Sequence, residues 1–489
     1  MDRRVRVALD ARHPVPHHGS PTPTVELPLS GPTDAARLLP GPTPDLASYL
    51  EAGGGRGIAR CAELTGDEVI DLIDRAGLRG RGGAGFPTAR KWRGVMGTAS
   101  EAGTHLDVVV NAAEGEPGTY KDRPLIAQRP HALLEGVCIA VHASGARSAY
   151  IGIKEKFDTE VARLREALNE VVAAGWPGAD RIEVVLGPDS YLFGEESGML
   201  EVIEGDLPLP RIVKPFEAGL HATTTRPNPT IVNNVETLTH VAAILADGPE
   251  AFRAAGTDAS PGTMLFTVTG DVESPGVYEL ALGTPLRVLL EDIAGATDIK
   301  AVYNGVSNAV ITPDMLDTPL CFDAMRAAGS GLGSGGFVVY DTSRSIVDVL
   351  AVLMRFLAVE SCGQCNACKL GTGEMSAILA SVQRGEATQT DLETLLKRAQ
   401  TVTDQNRCYL PVGAQVMVGS TVEAFVDEFV ATVQRGEPTP ADLPTPLIEW
   451  IDDDTGEVAH HSRYHLKRTD WSYSDEDPGA ERLAAIRGT

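Results

Sequence analysis

The chain has 489 residues, 43% of them hydrophobic, and 67 acidic against 42 basic side chains give a formal net charge of −25. That length suits roughly two to four domains with sizeable cores. The acidity argues against nucleic acid, whose phosphates it would repel, and against an anionic membrane surface; its plain reading is solubility. The charged start Met1-Asp2-Arg3-Arg4 is not followed by the apolar run of a secretory signal. The longest apolar helical stretch, Ile346 to Val359, is too short for a bilayer and contains Asp348 and Arg355. The expectation is a soluble, cytoplasmic chain with no direct membrane span. The scattered Cys61, Cys138 and Cys321 fit reduced, buried thiols.

Residues 1–60 read as an irregular arm, rich in Pro, His and Thr up to about residue 45, as in Pro14-Val15-Pro16-His17-His18. Helical spacing begins at Gly66 and runs into Gly80-Arg81-Gly82-Gly83-Ala84-Gly85-Phe86-Pro87-Thr88. Glycines leave the backbone bare, so amides can approach a phosphate or a flat ring, and Arg79 and Arg81 add positive charge. No Gly-Lys-Ser/Thr follows, so the loop is not a Walker A loop, and with no apolar strand before it the loop is not clearly a Rossmann turn. Leu106–Asn111 is a short buried strand that ends in Glu114-Gly115-Glu116-Pro117-Gly118-Thr119-Tyr120-Lys121-Asp122-Arg123. A helix (Pro130–His142), a strand (Ala149–Ile153), a helix (Asp158–Ala174) and a strand (Ile182–Leu186) follow. Such alternation marks a parallel α/β layer, whose ligand sites lie at strand ends.

Tyr191-Leu192-Phe193-Gly194-Glu195-Glu196 opens a helix to Glu204, and its paired carboxylates suit either the helix dipole or ribose hydroxyls. Pro229 to Leu238 is expected to start another helix, with amides free to seat a phosphate. From Gly262 to Tyr340 the texture is α+β: strands at Met264–Gly270, Gly276–Leu280, Ala301–Gly305 and Phe337–Tyr340, a helix at Leu286–Ile293, and a glycine-rich linker at Gly329–Gly336. Helices are then expected at Ser345–Glu360, Glu374–Gln400 and Ser420–Gln434, and a polar, irregular tail from Pro438 whose aromatics could dock on a surface.

Three of the seven cysteines stand at C-x2-C-x2-C spacing: Cys362, Cys365 and Cys368. Three thiolates on such a loop can wrap one face of a [4Fe–4S] cluster, with Cys408, the only later cysteine, as fourth ligand. A zinc site is the rival, although zinc knuckles come as two separated pairs. Disulfides fit neither the spacing nor the compartment.

The ordered motifs at Gly80–Thr88, Glu114–Arg123, Gly194–Glu196, Val232–Thr237 and Glu360–Cys365 resemble the NADH-binding flavoprotein subunit of respiratory complex I, a module shared with NAD-linked hydrogenases and formate dehydrogenases. The resemblance covers about residues 60 to 435. It implies a Rossmann-like α/β domain for FMN and NADH (61–255), a ubiquitin-like, soluble-ligand-binding β-grasp domain (256–340) and a helical bundle carrying the cluster (341–437), before the tail (438–489). By resemblance, Gly80, Arg81, Gly82, Gly83, Gly85 and Phe86 lie against nucleotide. Lys91, Asn111, Glu114, Tyr191, Gly194, Glu195, Asn233, Asn234 and Thr237 match FMN positions, and Glu116, Glu196, Lys214 and Phe216 match positions around NAD(H). The carboxylate of Glu196 would repel a 2′-phosphate, favouring NADH over NADPH.

The implied activity is NADH:acceptor oxidation: a hydride from NADH to FMN, then single electrons through the [4Fe–4S] cluster to other redox subunits or a ferredoxin-like protein in a multi-subunit complex. No residue is assigned a catalytic proton transfer, since the cofactor carries the chemistry. Two alternatives stand beside it: a diaphorase subunit of a formate dehydrogenase or hydrogenase that reduces NAD, and a scaffold that has lost flavin. The second draws on a departure from the family, Ala113 in place of the usual Asp. Arg93-Gly94, Ala367-Cys368-Lys369 and Tyr409-Leu410-Pro411-Val412-Gly413 are further departures.

Overall fold

The structure, a computed structural model, describes residues 38–452 and 455–473. Most of the predicted arm, with its histidines, lies outside the described residues. The arm's last part is ordered by one buried acid. Glu135 accepts from the Tyr49 hydroxyl (2.6 Å) and from the amides of Gly55 and Ile58 (2.8 Å each). It thereby pins two short helices, Leu46–Glu51 and Arg56–Cys61, against the domain, where sequence reasoning had expected irregular chain.

Four parallel strands form the first sheet: β1 (Asp107–Ala112), β2 (Ala149–Lys154), β3 (Ile182–Gly187) and β4 (Thr230–Asn234), in the order β3-β2-β1-β4. Val108, Val109 and Val110 are fully buried, as the centre of a sheet covered on both faces requires. The connections after β1 and β4 lead away from each other, so a crevice opens at the carboxyl ends of these neighbours. Residues Thr230–Asn234 are a strand and not the start of a helix as predicted. They pair with β1 in the register Val110↔Asn233, which suits the β-branched Thr-Ile-Val run. The helix begins at Val235, capped by Asn234, whose side chain accepts from the Glu236 amide at 3.0 Å.

The second sheet is mixed. Its strands β5 (Thr263–Gly270), β6 (Gly276–Ala281), β7 (Ile299–Tyr303) and β8 (Gly336–Asp341) run in the order β6-β5-β8-β7, with β5 and β8 parallel and both outer pairs antiparallel. Phe266, Leu286, Leu289 and Phe337 fill its core.

Five helices follow: Ile346–Glu360, Asn366–Gln383, Gln389–Thr401, Leu410–Ala424 and Val426–Arg435. The single helix predicted over Glu374–Gln400 is two, broken at Gly385. That residue has φ +70°, and an added Cβ would lie 2.7 Å from the Gly436 backbone. A capping box, Thr388 with Asp391, restarts the chain. The predicted Ser420–Gln434 helix is likewise two, parted at Phe425. The tail is not irregular: β9 (Ile448–Ile451) and β10 (Val458–His460) pair antiparallel, and Tyr464 and Trp471 are buried in the core of the helical region.

Candidate functional site

A cleft of about 1080 Å³ opens at the carboxyl ends of β1 and β4. It lies at the upper end of ligand pockets, roughly 300–1,000 Å³, which suits two nucleotides better than one small substrate. Of the site residues expected from sequence, the cleft is lined by Gly80, Gly82, Gly83, Gly85, Phe86, Lys91, Asn111, Glu114, Glu116, Tyr191, Gly194, Glu195, Glu196, Lys214, Asn233, Asn234 and Thr237. Two do not line it. Phe216 is half-exposed outside the wall made by Ile212 and Lys214. Arg81 is fully buried, its guanidinium donating to the carbonyls of Arg79 (2.7 Å), Thr263 (2.9 Å) and Pro261 (3.2 Å). Arg79 is drawn off by Asp323 at 2.7 Å. The expectation that these arginines lend charge to the cleft is therefore corrected: carbonyls and a carboxylate outside it take both. The amide of Arg81 anchors the loop instead, donating to Thr237 Oγ1 at 2.9 Å.

The glycine loop joins helix Gly66–Ala76 to helix Thr88–Ala102. Gly83 has φ +124° and Gly85 φ +61°, and a Cβ on Gly85 would collide with Phe322 at 2.4 Å. The bare backbone is thus required by the second domain as well as by any ligand. Phe86 is left 43% exposed at the cleft mouth.

The polar side chains hold one another. Asn111 donates to the Gly194 carbonyl (2.7 Å) and accepts from the Ala113 amide (3.2 Å), tying the end of β1 to the Gly194 turn. Glu114 Oε1 accepts the amides of Lys121 (2.8 Å) and Asp122 (2.9 Å). Glu195 spends one oxygen capping its own helix, accepting from the amides of Ser197 and Gly198. Glu196 pairs with Lys91 at 2.7 Å, and Lys91 also donates to the Val232 carbonyl. Trp92 donates to Asn233 at 2.8 Å. Glu116 receives the Tyr191 hydroxyl (2.6 Å) on one oxygen and the Val306 amide (2.8 Å) on the other, and burial pushes its carboxyl above the usual range. Beneath the floor, Lys121 Nζ sits between Asp122 (2.7 Å) and the buried Glu236 (2.8 Å). Burial pushes Asp122 up to about 6; on Glu236 the same effect is the largest single one, but Lys121, His240 and Arg81 together outweigh it and hold the carboxyl down at about 2.

Sequence reasoning missed the roof. Ser307 and Asn308, with Gly331, Leu332, Gly333 and Ser334 of the presumed linker, line the same cleft. Thr119 and Ser334 meet hydroxyl to hydroxyl at 2.6 Å. The glycine density of Gly329–Gly336, which repeats that of Gly80–Gly85, was the available signal.

The four cysteines expected to bind metal, Cys362, Cys365, Cys368 and Cys408, line one small pocket with Leu192, Pro210, Leu410 and Pro411. All seven cysteines are free. Burial pushes Cys368 up to about 11 and Cys408 up to about 12, so these sulfurs are thiols until a metal takes the proton's place. Among the described residues no three His, Cys, Asp or Glu side chains are gathered for one shared ion. Sulfurs ringed around a pocket suit the separate irons of a cluster better than a single tetrahedral zinc. Leu192, Arg407, Cys408 and Leu410 line both this pocket and the cleft.

A nucleotide-sized cleft sharing one wall with a four-cysteine centre is the layout of an iron–sulfur oxidoreductase component. Comparison with known proteins agrees. Residues 73–243 match the family model of the Nuo51 FMN-binding domain, residues 348–432 that of the NADH-ubiquinone oxidoreductase-F iron-sulfur binding region, and residues 265–310 that of the SLBB domain. The chain is 38% identical over 411 residues to an F-type subunit, the one numbered 2, of the NADH-quinone oxidoreductase of Rhizobium meliloti (strain 1021), covering 81% of this chain and 96% of that one. It is 35% identical to the F-type subunit of the Streptomyces coelicolor enzyme over 83% of this chain and 91% of that one. Among solved structures, a chain of an NAD+-reducing [NiFe]-hydrogenase in the H2-reduced state matches with TM-score 0.71 and 33% identity, over 83% of this chain and 68% of that one. The chain belongs to the family of NADH-quinone oxidoreductase F-type subunits.

Proposed function

We propose that this chain oxidises NADH as the flavoprotein subunit of a multi-subunit complex, with FMN and NADH in the cleft and a [4Fe–4S] cluster on Cys362, Cys365, Cys368 and Cys408. The observation that carries the reading is the wall shared by cleft and cysteine pocket at Leu192, Arg407, Cys408 and Leu410, which leaves no intervening layer between the two sites. What the cofactors supply when bound is two-electron exchange with NADH at the flavin and one-electron relay at the cluster.

The residues fit these groups. The Gly82–Gly85 backbone offers a face without side chains, and the N-terminus of helix Val235–Asp247 points an anion seat at the cleft floor. Glu114, Asn111 and Glu195, each held by backbone groups, present acceptors in fixed positions for flavin and ribose edges. Glu116, bonded across to Val306, fixes the second domain over the cleft and so limits water. Phe86 and Lys214 stand at the mouth where NADH would enter. In this reading the mixed sheet is a ubiquitin-like β-grasp domain and the five helices are a cluster-bearing bundle. The protein works on the cytoplasmic side, and the electrons pass to other redox subunits or a ferredoxin-like protein. Among the described residues no helix is long and apolar enough to cross a membrane.

The second reading, a diaphorase subunit that reduces NAD, rests on the likeness to a chain of an NAD+-reducing hydrogenase. Both readings require flavin. Flavin content and NADH–ferricyanide activity of the purified protein test them: one FMN per chain with activity is expected. Iron without flavin, and no activity, would overturn both and leave the scaffold, to which Ala113 in the cleft wall would then point.

A further inference from the structure

The last family-model match ends at residue 432, yet the chain beyond it is built into the site. Gly118, in the loop after β1, donates to the Pro446 carbonyl at 2.6 Å, and Arg123 donates to the carbonyls of Ile448 and Glu449. Farther on, Arg355 of helix Ile346–Glu360 donates to the carbonyls of His465 (2.8 Å) and Lys467 (3.1 Å). The described stretches 443–452 and 455–473 thus strap the cleft domain to the cysteine-bearing helices.

One contact in the strap is of a different kind. Glu360 stands two residues before Cys362 with its side chain 2% exposed. Its Oε2 accepts the Tyr191 amide at 3.0 Å, and Tyr191 is cleft wall. A buried carboxylate of this sort needs a cation, and the strap delivers it. Lys467, equally buried, places Nζ 2.7 Å from Glu360 Oε1 and donates to the Asp189 carbonyl at 2.8 Å. Tyr464 donates to the same carboxylate oxygen at 2.8 Å. Tyr191, Phe356 and Tyr464 form a run of rings with centroids 5.2 and 5.6 Å apart, from the cleft to the strap. A second cation is fixed in the same way. Lys369, directly after Cys368, donates to the Ser361 carbonyl (2.6 Å) and to the strap carbonyl of Thr469.

We infer that the C-terminal segment is a brace for the cysteine centre, with Lys467 and Glu360 as positioning residues. Resting on the [4Fe–4S] reading above, the inference adds that Lys369, directly after Cys368, and Lys467, by cancelling the charge of Glu360 two residues before Cys362, keep the reduction potential of the centre from falling. A cluster held by four thiolates gains negative charge on reduction, so fixed cations favour the reduced form. Without Lys467, the buried Glu360 carboxylate would stand uncompensated and unscreened by solvent next to Cys362.

The test uses the full-length holoprotein, with iron content of the wild type measured first. Wild type without iron would mean that the cluster reading has failed, a result distinct from any below. In Lys467→Met, amide exchange over residues 455–473 should rise about a hundredfold, the equivalent of losing about 3 kcal/mol from a broken buried pair at about 1.4 kcal/mol per tenfold. The midpoint in a redox titration followed by electron paramagnetic resonance should move to a more negative potential, and iron should be lost faster in air. Lys467→Arg should keep the wild-type midpoint. Should Lys467→Met fail to fold, Lys369→Met, which breaks no buried ion pair, should still move the midpoint to more negative potential. A strap that opens while spectrum, midpoint and iron loss stay as in the wild type would overturn the inference, as would exchange that does not rise or a midpoint that neither lysine variant shifts.

Discussion

Lys121 offers a direct measure of how much the cleft floor depends on compensated charge. Its ammonium is 1% exposed and lies 2.7 Å from Asp122 and 2.8 Å from Glu236, itself without exposure. Burial alone would push Glu236 up; Lys121, helped by His240 and Arg81, holds it down at about 2 against the usual 4.5. A depression of that size corresponds to about 3 kcal/mol at about 1.36 kcal/mol per pH unit. Breaking a buried pair by removing one partner costs about 3–5 kcal/mol. The two routes agree, so Lys121→Met should lose about 3–4 kcal/mol at pH 7. Because the folded value of Glu236 is depressed, its contribution is complete above the unfolded value of 4.5 and is lost as pH falls towards 2. The gap between wild type and variant should narrow in that window. Urea unfolding at pH 7 and pH 4 measures both quantities. Lys121→Met/Glu236→Gln leaves Glu236's position neutral and keeps an acceptor for the Leu265 amide, so it should recover a good part of the loss. A loss under about 1 kcal/mol, as for an exposed pair, or a double variant no better than the single one, would refute the reasoning.

Cys408→Ser should abolish the cluster's electron paramagnetic resonance signal and lower the iron content; an intact signal would show that the fourth ligand is another group. Glu196→Gln should relax discrimination against NADPH by only a few-fold, because Lys91 at 2.7 Å already offsets part of the Glu196 charge in a half-exposed pair; unchanged NADH and NADPH kinetics would remove the charge argument. Asp122 is pushed up to about 6 by burial, so the folded state binds its proton more readily than the unfolded chain, and this group adds stability as pH falls from about 6 to below 4. Asp122→Asn should lack that rise in a urea titration run across this range, and a variant that keeps it would assign the rise elsewhere. Phe86→Ala should weaken NADH binding at the cleft mouth with little effect on folding, since the ring is 43% exposed; an unchanged KM would place the nucleotide away from it.

The features legible in the sequence were those that chemistry or periodicity repeats within a few residues. The apolar run of β1, the acids that follow it and the C-x2-C-x2-C loop were of this kind. β4 was misread because Asn233 and Asn234 break its apolar pattern; both are occupied at the cleft floor, taking hydrogen bonds from Trp92 and from the Glu236 amide. Gly385 was invisible as a break because the atoms that forbid a side chain there belong to Gly436. Arg81 was assigned to the cleft by its neighbours in sequence, yet its partners Pro261 and Thr263 lie about 180 positions away. The roof at Gly331–Ser334 and the strap at Lys467 share this cause. Glu360 and Lys467 are 107 residues apart, and no local pattern announces a pair formed across that distance.

The residues common to cleft and cysteine pocket also bear on how the holoprotein is assembled. Leu192, Arg407, Cys408 and Leu410 face both spaces, so whatever orders them for one occupant orders them for the other. Loading of either site therefore lowers the conformational entropy left for the second to remove. By thermodynamic reciprocity the preference must run both ways: flavin should be retained better by iron-replete chains, and iron better by flavin-replete ones, by the same factor.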